Sequence, residues 1–168
     1  MKPGEHPEFY RIAPPEGGSR ESSIVLDREG HFWHEGEIVE NRALELAMRG
    51  WIGLHPESAR LILTNGYDWC YFRAEDAPFI VDALRIGEDG SAPVFLRLFD
   101  GSEEELDPHT LCQNEEGIVY ARVRKKSLEA RFSRHAQNEL APLLVSGDPP
   151  TLRIAGKDYI LPARKPSQ

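Results

Sequence analysis

The sequence predicts an α+β fold that is mainly β, made of two repeated β-hairpin–helix–β-hairpin units in a duplicated, half-barrel-like arrangement. Three observations predict it. Short alternations of apolar and polar residues, bounded by Gly, Asn and Asp, recur along most of the chain, which is the pattern of short strands and tight turns. Two stretches switch to helical spacing, one after Asn41 and one after Ser133, both residue types that cap helix N-termini. The order Glu-Gly, strand, turn, strand, capped helix, terminal hairpin occurs twice, with Glu29-Gly30-His31-Phe32-Trp33 matched by Glu116-Gly117-Ile118-Val119-Tyr120.

Residues 1–22 carry two Pro-containing stretches and Gly17-Gly18 with few apolar anchors, so they are expected to form a mobile arm pinned at Phe9 and Tyr10. The first unit spans 23–86. Ile24-Val25-Leu26 reads as a strand, Asp27 to Gly30 as a turn, His31 to His34 as the next strand, and Glu35-Gly36 as the turn into Glu37-Ile38-Val39. Asn41 opens a helix of about three turns whose apolar positions Ala43, Leu44, Ala47, Met48, Trp51 and Ile52 share one face. Ala59 to Thr64 and Tyr67 to Arg73 form a hairpin about a tight Asn65-Gly66 turn. Connecting strands occupy 87–116, with strands Pro78 to Ile86 and Ala92 to Phe99 meeting about Gly87-Glu88-Asp89-Gly90. Glu103-Glu104-Glu105 with Asp107 lacks the alternating ligands and central glycine of a calcium loop and reads as a solvated edge strand. The second unit spans 117–162, ending in a hairpin about Ala155-Gly156-Lys157, and 163–168 is expected to be a disordered tail.

Composition narrows the class. No apolar run in the 168 residues approaches the roughly 20 that a membrane helix needs, and Met1 to Gly18 has no signal-peptide pattern. Cys70 and Cys112 make neither a disulfide framework nor a paired-cysteine metal site; Cys70, among aromatics, reads as an inert buried thiol. The expected location is the cytoplasm, with no membrane contact. A net charge of −8 argues against binding a nucleic-acid polymer. Residues 1–116 carry ten Lys/Arg against 24 Asp/Glu, and 117–168 carry ten against four, a net −14 followed by +6. Acidic front and basic back attract each other, or the basic part receives an anionic ligand.

The sharpest local signal lies in 118–132. Val119, Ala121 and Val123 alternate with Tyr120, Arg122 and Arg124, and Leu128-Glu129-Ala130-Arg131-Phe132 alternates in the same way. A turn at Lys125-Lys126 sets Val123 against Leu128, Ala121 against Ala130 and Val119 against Phe132 on one face. It sets Arg122 against Glu129 and Tyr120 against Arg131 on the other. That second face offers guanidinium forks for phosphate or carboxylate and a ring for stacking, which makes Tyr120, Arg122, Arg124, Glu129 and Arg131 the candidate ligand-binding residues. The competing reading is a plain cross-strand ion-pair ladder. Trp33 and His34, beside the Glu35-Gly36 turn, are further candidates for lining a pocket. His31 and His34 are three apart in a strand and point to opposite faces, so they do not share a metal. No nucleophile elbow, Walker loop, zincin or dinucleotide-binding motif is present in the sequence.

Three segments together carry a family resemblance: Asp27 to Gly36 followed by Ile38; Arg73-Ala74-Glu75-Asp76-Ala77-Pro78-Phe79; and Val123-Arg124 followed by Leu128-Glu129-Ala130-Arg131. In order and spacing the chain resembles, over roughly 23–162, a proteobacterial domain-of-unknown-function family, number 1285. The resemblance implies a duplicated β-rich domain whose second copy is loosely pleckstrin-homology-like. It also implies a nucleotide-like ligand at the interface between the copies and a role in signalling. By position it adds Arg73, Glu75 and Asp76 to Arg124, Glu129 and Arg131. The chain departs from the family at Asn65-Gly66-Tyr67-Asp68, where relatives tend to carry a Thr-Pro-Val-Glu-type segment. The resulting expectation is a non-enzymatic sensor without a cofactor that binds a small anionic, nucleotide-like ligand between the units and works with a signalling protein. The alternative is a protein-interaction module docking its partner through the acidic front and residues 1–22. A phosphoester hydrolase, with Glu75, Asp76 or Glu129 as the base, is the third reading.

Overall fold

The computed structural model describes residues 1–87 and 93–165, so most of the turn expected at Gly87-Glu88-Asp89-Gly90 and the end of the tail lie outside the described residues. The fold is α+β and mainly β. The chain divides into two compact units, Met1–Asp76 and Ala77–Gln168. The division does not fall at residue 86, and the strands expected as a separate connector at 87–116 are built into the second unit.

In unit 1, β1 (Val25–Leu26), β2 (Phe32–His34) and β3 (Glu37–Ile38) are antiparallel neighbours. Helix α1 (Arg42–Gly50) follows, capped as expected by Asn41, whose Oδ1 accepts the Leu44 N–H at 3.0 Å. Three further antiparallel strands, β4 (Ile52–Leu54), β5 (Leu61–Thr64) and β6 (Trp69–Tyr71), form a second sheet, and β7 (Arg73–Ala74) returns to pair with β1 in parallel. Two elements differ from expectation. The helix stops before Ile52, because Ile52 to Leu54 gain a ladder with Leu61 to Leu63 that one more helical turn would forgo. The Asn65-Gly66 turn is a four-residue loop: Asn65 Oδ1 accepts the N–H groups of both Tyr67 and Asp68, which moves the return strand to Trp69.

Residues 1–22 pack on unit 1, so the expected mobility of the arm is corrected, while Phe9 and Tyr10 do pin it as expected. Phe9, within a 3-10 turn (Pro7–Arg11), is 6% exposed and forms an apolar cluster with Ile62 and Trp69. The Arg20 guanidinium lies 4.6 Å from the Trp69 ring and donates to Asp68 at 2.6 Å. Arg60 covers the Tyr71 ring at 3.7 Å and reaches both oxygens of Glu21. His55, 6% exposed, accepts the N–H groups of Glu57 and Ser58 at Nδ1, which leaves Nε2 to donate to the Tyr10 carbonyl.

In unit 2, β8 (Phe79–Arg85), β9 (Phe95–Leu98), β10 (Glu103–Glu105), β11 (Cys112–Gln113), β12 (Val119–Val123) and β13 (Leu128–Phe132) make one six-stranded sheet in the order β10-β9-β8-β13-β12-β11. The acidic β10 is an edge strand, as the sequence suggests. Helix α2 (Arg134–Leu140), capped by Ser133, precedes the sheet of β14 (Leu144–Val145), β15 (Thr151–Ile154) and β16 (Lys157–Ile160). Thus β1-β2-β3-α1-β4-β5-β6 and β11-β12-β13-α2-β14-β15-β16 run in the same order.

The repeat extends to single atoms. In the first copy Asp27 Oδ1 accepts the N–H groups of Glu29 and His31, each at 2.9 Å, and Gly30 takes a left-handed φ of 92°. In the second, Asn114 Oδ1 accepts those of Glu116 and Ile118 at 3.0 and 2.9 Å, and Gly117 takes φ 79°. Six residues on from each lies an aromatic bonded back to the same side chain: Trp33 Nε1 donates to Asp27 Oδ2 at 2.9 Å, and Asn114 Nδ2 donates to the Tyr120 hydroxyl at 3.4 Å. An indole N–H only donates and requires the carboxylate; a phenol also accepts and tolerates the amide.

Two predictions follow from this packing. Phe9→Ala should cost about 3 kcal/mol of unit 1 stability in urea unfolding, the usual scale for emptying a buried aromatic site, and a loss below a tenth of that would mean residues 1–22 do not pack there. Asp27→Asn should cost about 1–2 kcal/mol by setting two donors face to face, and adding Trp33→Tyr should restore at least half of it. The Asp27 carboxyl is pushed up by burial but held below its ordinary range overall by the Trp33, His31 and Glu29 N–H donors. Its stabilisation is therefore complete above the unfolded-state pKa and fades as pH falls through the depressed native value, a loss that Asp27→Asn should remove from the acid limb.

Candidate functional site

Unit 1 contains a cavity of about 320 Å³. Its walls follow from the local structure. Leu44, Met48 and Trp51 recur at four and three residues along α1 and its end, and so share a face. Leu63 on β5 and Cys70 on β6 are register partners and point the same way, while Ile62 and Tyr71, the next pair, lie towards the Phe9 cluster. Ile24 and Val39 complete the apolar wall; His34, Asn65 and Asp68 supply the polar atoms. The Asp68 carboxyl is held below its ordinary range by the Arg20 guanidinium and by the Trp69 N–H, so it is an acceptor at neutral pH. Burial pushes the Cys70 thiol up, which keeps it protonated and a poor nucleophile. Among the described lining residues there is no Lys or Arg.

Of the residues selected from the sequence, His34 lines this cavity. Trp33 points to the opposite face of its sheet. There the register aligns Ile38, Trp33, Val25 and Arg73 in one row, with Ile38 and Trp33 40% and 37% exposed and Arg73 exposed. Asp76 is half-buried and engaged.

The other candidates are in unit 2, and the hairpin carrying them has the expected register: Tyr120 opposite Arg131, Ala121 opposite Ala130, Arg122 opposite Glu129 and Val123 opposite Leu128. Its second face is not the open one expected. Tyr120 is 1% exposed, and the Arg164 guanidinium stacks on its ring, 3.8 Å from the centroid. Glu129 pairs with Arg164 instead of Arg122, with Arg164 Nε 3.3 Å from one oxygen and Nη2 on the other. Arg122 donates to the carbonyls of Lys126 and Ser127, both at 3.2 Å. Arg124 pairs with Asp100, whose side chain is 6% exposed, and donates to Ser102 Oγ at 3.1 Å. Arg131 is half-buried and engaged. An anion therefore does not find a fork of open arginines on this hairpin.

The turn between the strands explains the fate of Arg124. Arg124, Lys125 and Lys126 are all left-handed, with φ of 53°, 55° and 65°, which costs about 1 kcal/mol or more per non-glycine residue. Surrounding groups hold it. Glu104 accepts the Arg124 N–H at 3.0 Å, Ser127 Oγ donates to the Arg124 carbonyl at 2.6 Å, and Lys126 pairs with Asp107 at 2.9 Å. The acidic cluster of 103–107 thus serves the basic turn. The tail is corrected with it: Arg164 donates its N–H to the Gln113 carbonyl at 2.7 Å, and Ala163 bridges to Gln113, so the start of the tail lies along β11.

Sequence reasoning singled out His34 in the cavity but missed Asn65, Asp68 and the α1 face as its walls. The signal for the face was the spacing of Leu44, Met48 and Trp51, read there as ordinary core. It missed Arg164 altogether.

No family model and no curated protein matches the chain. Two solved structures are similar. A DUF1285 family protein from Silicibacter pomeroyi DSS-3 matches with a TM-score of 0.67 at 19% identity, covering 84% of this chain and 80% of the other. A DUF1285 family protein from Shewanella baltica OS155 matches with a TM-score of 0.58 at 13% identity, covering 74% and 94%. The chain has the fold of these DUF1285 family proteins, in line with the resemblance carried by its three sequence segments.

The strained turn yields a test. Lys125→Gly should stabilise unit 2 by up to about 1 kcal/mol, because glycine adopts the left-handed region without penalty. Thermal unfolding of the two proteins side by side measures this, and a lower melting temperature in Lys125→Gly would contradict the conformation.

Proposed function

We propose that this is a non-enzymatic small-molecule-binding protein with a sensor or signalling role, and that its ligand is a flat, nucleobase-like heterocycle held in the unit 1 cavity. The observation that carries the reading is the cavity. Its size lies at the lower end of the roughly 300–1,000 Å³ typical of small-ligand sites, and its make-up is the usual one, apolar walls with a few converging polar groups. Trp51 and the aliphatic wall suit a planar face. Asp68 accepts from a ring N–H or exocyclic amine, and the amide of Asn65 and the imidazole of His34 supply the complementary edge. Asn65 and Asp68 belong to the segment at which the chain departs from the family it resembles, so the contacts that select the ligand are this chain's own.

The anionic part of the expected ligand draws no support from the cavity. A phosphate on such a ligand would project into water, so a nucleotide should bind no better than its nucleoside. Burial keeps the Cys70 thiol protonated, so in this reading it packs against the ligand and does not attack it. Placement in the cytoplasm belongs to the same proposal and is supported by two unpaired cysteines; among the described residues no helix is long and apolar enough to cross a membrane. One observation favours a protein partner as a second reading: the exposed row of Ile38, Trp33 and Arg73 on the outer face of unit 1.

Calorimetry with adenine, guanine, their nucleosides, the matching nucleotides and inorganic phosphate tests the proposal. At least one base or nucleoside should bind. Cys70→Phe, which fills the cavity, should abolish that binding, and Asp68→Asn should weaken it about tenfold, one charge-assisted hydrogen bond's worth. No binding by any base or nucleoside, or binding that Cys70→Phe leaves intact, would sink the reading.

A further inference from the structure

The Arg164 contact in unit 2 is independent of the unit 1 cavity and has the form of a recognition site with its occupant in place. Strand β11 is the edge of the six-stranded sheet. Its Gln113 donates its N–H to the Pro162 carbonyl at 2.9 Å and accepts the Arg164 N–H at 2.7 Å, with Ala163 bridged in parallel. This is the main-chain pattern by which an extended segment adds to a sheet edge. One residue reads out the side chain: the Arg164 guanidinium stacks on Tyr120 and forks onto Glu129. A ring beneath and a carboxylate beside it match arginine specifically, since lysine has neither the plane nor the fork.

How this occupant is attached matters as much. The last buried apolar anchor before it is Leu161, 2% exposed, whose N–H is held by the Pro150 carbonyl. Beyond that point Pro162, Ala163 and Lys165 are exposed, and the hold includes two main-chain hydrogen bonds, the stack on Tyr120 and an ion pair whose partners are each 18% exposed. Exchanging this segment for another of the same chemistry therefore uncovers no apolar core and leaves no charge unpaired. We propose that the β11 edge with the Tyr120–Glu129 recess is a docking site for an extended, arginine-bearing segment of a partner protein, and that residues 162–165 occupy it in cis and are displaced when the partner binds.

The probe is the labelled peptide acetyl-Pro-Ala-Arg-Lys-amide, followed by fluorescence anisotropy with the full chain. The tethered segment competes at a local concentration in the millimolar range, so the unaltered protein should bind the probe weakly. Arg164→Ala should bind it at least tenfold more tightly. The double variant Arg164→Ala with Glu129→Gln should lose that gain, and a probe with Ala in place of Arg should not bind. Equal affinity for the unaltered protein and Arg164→Ala, no binding to Arg164→Ala, or a gain that survives Glu129→Gln would each overturn the proposal. A measurement on the unaltered protein guards against a misfolded variant. Hydrogen exchange at the Arg164 amide should be at least a hundredfold faster than at Ala121 and Ala130 within β12 and β13; equal protection would show a segment built into the sheet and would also overturn it.

Discussion

One side-chain oxygen at the head of each copy sets the geometry on which the rest is built. Asp27 Oδ1 and Asn114 Oδ1 each gather two main-chain N–H groups and fold four residues into a turn with a left-handed glycine at its end. The turn fixes the direction of the next strand and brings an aromatic six residues on back to the same side chain. The hairpin that follows delivers the chain to a capped helix, and the helix to a three-stranded sheet. In unit 1 that sequence of events leaves α1 standing over Leu63 and Cys70 with space between them. The cavity lies wholly among residues of the first copy. Its polar rim comes from the Asn65–Asp68 loop, where a second Asx side chain gathers main-chain donors in the same way.

The second copy uses its space differently. The hairpin turn of Arg124, Lys125 and Lys126 holds three non-glycine residues in the left-handed region, and groups from β10 and its flanks are recruited to hold it. The side chain of Asp100 is almost covered, and its charge is matched by Arg124. Glu129, which a cross-strand model assigns to Arg122, is instead met by Arg164. The chemistry that looked like a ligand site is therefore largely satisfied from within, and what survives as recognition chemistry is the Arg164 contact itself.

The hairpin register was legible because it was over-determined: two alternating segments chose the same pairing, and a slip by one residue would have put Val123 and Leu128 outside. The caps Asn41 and Ser133 were legible because capping is local chemistry. The end of α1 was not, since Trp51 and Ile52 continue the helical spacing and only the ladder to Leu63 and Leu61 turns Ile52 to Leu54 into a strand. Residues 1–22 read as an arm because Phe9 and Tyr10 find Ile62 and Trp69 across some fifty positions of chain. The burial of Tyr120 failed for a related reason. Alternation states which residues share a face; it does not state that Arg164, thirty-five positions from Glu129, will cover that face. The cavity was half legible, its apolar helix face visible as a stripe and its vacancy invisible.

The pairing of acidic β10 and its neighbours with the basic turn also redistributes the charge of the molecule. By sequence the sign changes near residue 116, yet both signs are folded into one unit. Unit 2 carries 12 Lys/Arg against 14 Asp/Glu, and unit 1 carries eight against 14. Most of the net −8 therefore belongs to unit 1, and unit 2 by itself is close to neutral. Diffusional encounter with a cationic partner should be accelerated towards unit 1 and should slow as ionic strength rises, because screening over about 8 Å at physiological salt removes long-range attraction first. Approach to unit 2 should be nearly indifferent to salt until contact, where its internal ion pairs compete with the incoming charge.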